Sequence, residues 1–196
     1  MERFLLYYNE LYDDAMKRIV LLLCLLVVST ASAQKKINWM SMDEALAAQA
    51  KKPKKIFIDM YTNWCGPCKM LDRDTFSNQD VVNYINQNFY AVKFNAEGNE
   101  TVSYQSRAYT NPGYNPAKAM RRNSQHQFAR YMGVRAYPTV LFLDEQGNLI
   151  NRVQSYKKPQ QMELYLKLFG TDLWKEISTQ EQFDEYFKNF KPEFKA

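Results

Sequence analysis

Ile56-Phe57-Ile58-Asp59-Met60-Tyr61 is an apolar run of strand length, and two residues separate it from Trp64-Cys65-Gly66-Pro67-Cys68-Lys69. This junction restricts the fold more than any other stretch of the chain. The run reads as a buried strand, and a helix is expected to begin near Cys65. A cysteine at a helix N-terminus lies among unpaired backbone N–H groups and the positive end of the helix dipole. That setting favours the thiolate, which is the attacking species. Cys68 falls in the same first turn, so it can reach the Cys65 sulfur and close a ring. Gly66 and Pro67 allow the tight turn. A disulfide placed there is easily made and broken.

The N-terminus reads as a separate segment. Met16-Lys17-Arg18 is a short basic start, Ile19 to Val28 an unbroken apolar run, and Ala31-Ser32-Ala33 a small-residue A-x-A site before Gln34. These are the three parts of a secretory signal, and the run is shorter than the roughly 20 residues needed to span a bilayer. The expected organisation is a leader over 1–33, with the signal at 16–33, and a single domain over 34–196. Met16 is read as the true start, and Cys24, preceded by Leu23 rather than a small residue, as apolar filling of the signal. The mature chain would not be an integral membrane protein. It would be exported, to a periplasm or an equivalent compartment.

Cleavage after Ala33 removes three basic and four acidic residues from 26 and 21, moving the formal net charge from +5 to +6. The excess favours acidic partners only weakly. Its scatter along the chain argues against nucleic-acid binding. Two cysteines remain, three positions apart, which is no stapled scaffold. A zinc site wants four ligands. Here one pair is accompanied by one histidine, His126, which reads as a surface helix residue. No metal is expected.

Along the domain, Ser41 and Glu44 form a capping box for a helix from Met42 to about Ala50. Lys51-Lys52-Pro53-Lys54-Lys55 ends it. Asn78 to Asn88 has helical spacing, and Tyr90 to Asn95 is a second strand. Residues 96–123 form a long connection without periodicity, of the kind that is usually functional or mobile. Ser124 is expected to cap a helix through Met132. Thr139 to Leu143 and Leu149 to Gln154 flank a hairpin turn. Helices follow from Pro159 to Phe169, stopping at Gly170, and from Thr179 to Phe190. Strands separated by helices require parallel crossovers, and the late hairpin adds antiparallel pairing. The class is therefore α/β, with a mixed central sheet flanked by helices.

Residues 53–170 resemble thioredoxin, and Trp64 to Lys69 is that family's active-site signature without a change. Asp59 matches the family's buried carboxylate, Lys93 the lysine beside it, and Gly133-Val134-Arg135-Ala136-Tyr137-Pro138-Thr139 the segment carrying a cis proline next to the cysteines. The resemblance implies a thioredoxin-like fold and thiol-disulfide oxidoreductase activity. Cys65 would be the nucleophile, Cys68 the resolving thiol, Asp59 its base and Lys93 the moderator of Asp59. Trp64, Gly66, Pro67, Tyr137 and Pro138 would form the substrate-binding surface. Pro138 would offer its neighbour's backbone to a client as an added strand and keep metals from the cysteines. The redox-active disulfide Cys65–Cys68 would serve in place of a cofactor. Partners would be protein disulfides or dithiols and a membrane electron donor.

The chain departs from the family at the 96–123 insertion, at bulky Tyr137, and at an added C-terminal helix over 171–196. Tyr104, Arg107, Tyr109, Tyr114, Lys118, Arg121 and Arg122 make the insertion a candidate client-selecting segment, with a plain solvated loop and helix as the alternative. Leu173, Trp174, Ile177, Phe183, Tyr186, Phe187 and Phe190 give the C-terminal helix an apolar face, for the core or for a dimer. Gly-Pro between the cysteines resembles the reducing branch of the superfamily. An oxidase or isomerase, or a binding module for an exported partner, remains the alternative.

Overall fold

The computed structural model describes residues 12–20 and 34–195, which fall into two units dividing between Gln34 and Lys35. Residues 12–20 are helical and exposed. The expected signal run beyond Val20, its cleavage site and Cys24 lie outside the described residues. Among the described residues no helix is long and apolar enough to cross a membrane.

The second unit is built on a five-stranded mixed sheet. Its strands are β1 (Trp39–Met40), β2 (Lys55–Tyr61), β3 (Phe89–Asn95), β6 (Thr139–Leu143) and β7 (Leu149–Gln154), in the order β1-β3-β2-β6-β7. The β1–β3 and β2–β3 pairs are parallel, and β2–β6 and β6–β7 antiparallel. Six of the seven residues of β2 are buried, as a central strand covered on both faces requires. Strand alternation splits β2 between two cores. Ile56, Ile58 and Met60 join Val92, Phe94, Leu141 and Leu143 on one face. Phe57 joins Leu71, Phe76, Val140, Phe142 and Phe169 on the other.

The helices are α1 (Met42–Lys51), α2 (Gly66–Met70), α3 (Gln79–Asn88), α4 (Gln127–Tyr131), α5 (Pro159–Gly170) and α6 (Gln180–Asn189). The Ser41–Glu44 capping box is present on α1, and Thr179 with Gln182 forms another on α6. A π-helical turn, Leu71–Thr75, continues α2.

Two expectations change. The helix expected from Ser124 to Met132 is α4 alone, because His126 rather than Ser124 is its N-cap, its Nδ1 accepting from the Phe128 N–H at 3.0 Å. His126 is therefore no surface residue. It is fully buried, its Nε2 lies 2.7 Å from the Glu100 carbonyl, and burial lowers its pKa. Residues 96–123 contain a hairpin, β4 (Val102–Tyr104) with β5 (Arg107–Tyr109), and a short 3-10 turn, Pro116–Lys118. Tyr104 and Tyr109 are buried against Phe128, and the Tyr104 hydroxyl donates to the Gly147 carbonyl at 2.6 Å. These two tyrosines serve the core and not a client surface.

The C-terminal extension also closes on the core. Leu173, Trp174, Ile177, Phe183, Tyr186 and Phe194 pack on the second cluster, while Phe187 stays 58% exposed. Glu163 on α5 anchors the end of the chain. Fully buried, its carboxylate accepts from the Glu193 and Phe194 N–H groups and pairs with Lys167 at 2.8 Å. Glu163→Ala would strand two backbone donors and leave Lys167 with Glu193 alone. It should lower unfolding free energy in urea by about 2–4 kcal/mol. A loss under half of that would mean the tail is held by its aromatic contacts alone.

Candidate functional site

Cys65 occupies the N-cap of α2 with an extended backbone, and its Sγ accepts the Cys68 N–H at 3.1 Å. This contact satisfies one of the unpaired donors that every helix start carries. The two cysteines are joined by a disulfide with Cα atoms 5.3 Å apart. Both are nearly buried, at 2% and 3% exposure, whereas Gly66, Pro67 and Lys69 are exposed. A Cβ built on Gly66 would meet nothing within 4 Å, so the loop between the sulfurs faces open space.

Strand register sets Asp59 and Lys93 side by side on the sheet, as direct partners of the parallel β2–β3 ladder. Asp59 points to the same face as Phe57, toward the helix that carries Cys68. It is 1% exposed, and burial pushes its carboxyl up to about 6, against the pull of Lys93 and with a further push from Asp72. Asp59 Oδ2 lies 3.2 Å from Lys93 Nζ, while Oδ1 has no hydrogen-bond partner among the described residues. Lys93 is ringed by Trp39, Tyr61 and Phe76, with Nζ 5.1, 5.1 and 5.9 Å from their ring centres. Burial works against its charge, yet Asp59 and Asp72 hold its pKa above the usual lysine value.

Tyr137 precedes Pro138 across a cis peptide bond. The Tyr137 ring stands edge-on to Trp64, with centroids 6.0 Å apart. Trp64, Cys65, Gly66, Pro67 and Cys68 are contiguous, and this ring contact brings the Tyr137–Pro138 segment alongside them. Asp59 and Lys93 lie on the sheet toward that helix. Trp64, Cys65, Gly66, Pro67, Cys68 and Tyr137 are thus neighbours, and Asp59 and Lys93 pair on the sheet face toward the same helix.

Four further residues belong to this place. Asp72, in the π turn one helical turn past Cys68, forms an ion pair with Lys93. Its i+4 spacing from Cys68 was a usable signal. Glu97, just past β3, accepts from Trp64 Nε1 at 2.7 Å and from the Asn123 N–H at 2.8 Å. The Arg122 guanidinium lies over the Trp64 ring at 4.9 Å. Asn63 Nδ2 donates to the Ala119 carbonyl at 2.9 Å. The second half of the insertion is therefore tied to the cysteine motif. No pattern in the sequence specified these last contacts, which join segments more than 25 residues apart. Among the described residues no cluster of histidine, cysteine or carboxylate side chains could hold a metal ion.

Residues 42–170 match a family described as the thioredoxin-like domain. Among curated proteins, the chain is 26% identical over 126 residues to the thiol:disulfide interchange protein DsbD of Pectobacterium atrosepticum, covering 63% of this chain and 18% of that protein. The chain thus spans under a fifth of the length of that relative. Among solved structures, a thioredoxin-fold protein from Helicobacter pylori superposes with a TM-score of 0.54 at 16% identity, covering 82% of this chain and 92% of the other. A putative disulphide-isomerase from Bacteroides thetaiotaomicron is 27% identical, covering 70% and 95% of the two chains, with a TM-score of 0.48.

Proposed function

The chain belongs to the thioredoxin-like family, and from that premise we propose that it is an exported thiol-disulfide oxidoreductase acting on protein clients in the reducing direction. The observation that carries the reading is the Cys65–Cys68 disulfide at the start of α2, on the helix toward which the buried Asp59 points. Export rests on the three-part pattern over residues 16–33, and the reducing direction on Gly66-Pro67 between the cysteines. The catalytic core is taken as 53–170, with 96–123 as an insertion and 171–196 as an extension.

In the reduced protein, the Cys65 thiolate attacks one sulfur of a client disulfide. The client's S–S bond breaks, a mixed disulfide forms, and the other client sulfur leaves as a thiolate that takes up a proton. Cys68 then gives its proton to Asp59, whose Oδ1 is free to receive it. The Cys68 thiolate attacks Cys65, the mixed disulfide breaks, and the second client thiol departs. Two electrons pass from the Cys65–Cys68 dithiol to the client, and a reducing partner must restore the dithiol. Asp59 suits this work because a carboxyl poised near 6 is ionised at neutral pH yet basic enough to accept a proton. Lys93, bound to both Asp59 and Asp72, limits how far burial raises it.

Turnover of a disulfide-bonded protein with dithiothreitol as terminal reductant tests this reading. Catalysis well above the rate of dithiothreitol alone is expected. A rate equal to dithiothreitol alone would exclude the activity.

A further inference from the structure

Between Glu100 and Asp144 the chain contains no acidic residue, and it carries Arg107, Lys118, Arg121, Arg122, Arg130 and Arg135. All six are exposed, and none is ion-paired within 4.0 Å among the described residues. They divide by place. Arg107 lies on β5, over Tyr109. Arg130 lies on α4. Lys118, Arg121 and Arg122 lie in the half of the insertion that is bound to the cysteine motif.

Three contacts fix that half against the motif: Asn63 to the Ala119 carbonyl, Arg122 over Trp64, and Glu97 bridging Trp64 to the Asn123 N–H. Internal hydrogen bonds hold its shape, with the Arg121 N–H donating to the Lys118 carbonyl and Asn123 bonded twice to Asn115. Met120, 69% exposed, sits between the basic residues. Arg135 stands two residues before Tyr137, whose ring also contacts Trp64. The carboxylate that meets this group is Glu97, whose Oε2 is already occupied by Trp64 and Asn123. Glu97 offsets one positive charge here, and Asp59 and Asp72 share Lys93 on the sheet side, so the excess positive charge lies on the insertion side of the cysteine motif, with Lys118, Arg121 and Arg122.

We propose that Lys118, Arg121 and Arg122 form a basic ridge that selects clients whose disulfide is flanked by Asp or Glu residues. The inference rests on the exchange reading above and names the client class for that same site. A cluster of cations without ion-pair partners, on backbone held beside a reactive group, raises the encounter rate of anionic partners by one or more orders of magnitude, and salt suppresses the effect.

The test uses the full chain, dithiothreitol as reductant, and two disulfide-linked reporter peptides that are identical except for four flanking residues, glutamate in one and glutamine in the other. At low salt kcat/KM should be about 10-fold higher for the glutamate peptide, with the ratio falling toward one in 0.5 M salt as screening predicts. Joint replacement Lys118→Gln, Arg121→Gln and Arg122→Gln should bring the low-salt ratio close to one, while Arg121→Lys with Arg122→Lys should keep it. A ratio near one in the unaltered chain, or a ratio unchanged in the glutamine variant, would overturn the proposal. An equal fall for both peptides would also overturn it, by assigning the cations to the Cys65 thiolate instead. Turnover of neither peptide would contradict the exchange reading itself.

Discussion

A Cys68→Ser chain should stop one step into the reaction, holding its client as a stoichiometric mixed disulfide on Cys65. The attacking sulfur and the resolving sulfur occupy the same turn, with Cys65 at the N-cap and Cys68 behind it inside α2. Serine at 68 keeps the turn and removes the nucleophile that breaks the mixed bond. Multiple turnover should be lost, while first attack persists. Non-reducing mass spectrometry should find the chain plus one client, released on adding reductant. Cys65→Ser should give neither turnover nor adduct, because a hydroxyl at that position is not ionised. An adduct formed by Cys65→Ser through Cys68 would reverse the assigned order of the two thiols.

Asp59→Asn should have opposite effects on catalysis and on stability. The resolving step loses its base and should slow by about 10²-fold, while the first attack stays near its original rate. The step's pH profile should lose the limb centred near 6 that ionisation of Asp59 provides. Equal slowing of both steps would refute the role. The stability effect follows from the same burial. The folded carboxyl titrates near 6 and the unfolded one near 3.8, so between those values the folded chain binds more protons. Unfolding free energy from Asp59 therefore falls as pH rises from about 4 through about 6, and is lower by roughly 3 kcal/mol at pH 7. Asparagine removes that penalty. The variant should be more stable than the unaltered chain at pH 7 by up to this amount, with the gain vanishing near pH 4. Chemical denaturation at both pH values checks this, and a gain equal at both would assign it to packing.

Much of the site was legible in the sequence. A strand running into Cys-Gly-Pro-Cys could be read from local chemistry, whereas Asp59, Lys93 and the Tyr137-Pro138 segment were expected from the resemblance to thioredoxin. Parallel register then placed Asp59 against Lys93 directly. The β4–β5 hairpin was illegible for a physical reason. Its turn residues Gln105 and Ser106 take positive φ, 50° and 60°, without the glycine or asparagine that normally marks such turns. Its strands are three residues each, too short to show alternation. Consequently Tyr104 and Tyr109 looked like surface aromatics although they fill the core. His126 failed similarly: an imidazole N-cap has no common signature, since capping positions favour Ser, Thr, Asp and Asn. Asp72 was within reach as the residue one turn past Cys68. Arg122 on Trp64 depends on the path of the insertion, and only the folded chain reveals it.

The most direct measurement is the reduction potential of the Cys65–Cys68 pair in residues 34–196, where these are the two cysteines present, by equilibration with a thiol redox buffer. A reductant of this family should lie near the value of thioredoxin, about −270 mV. A value near about −120 mV, that of a strong oxidant, would contradict the reducing direction and reverse the proposed flow of electrons.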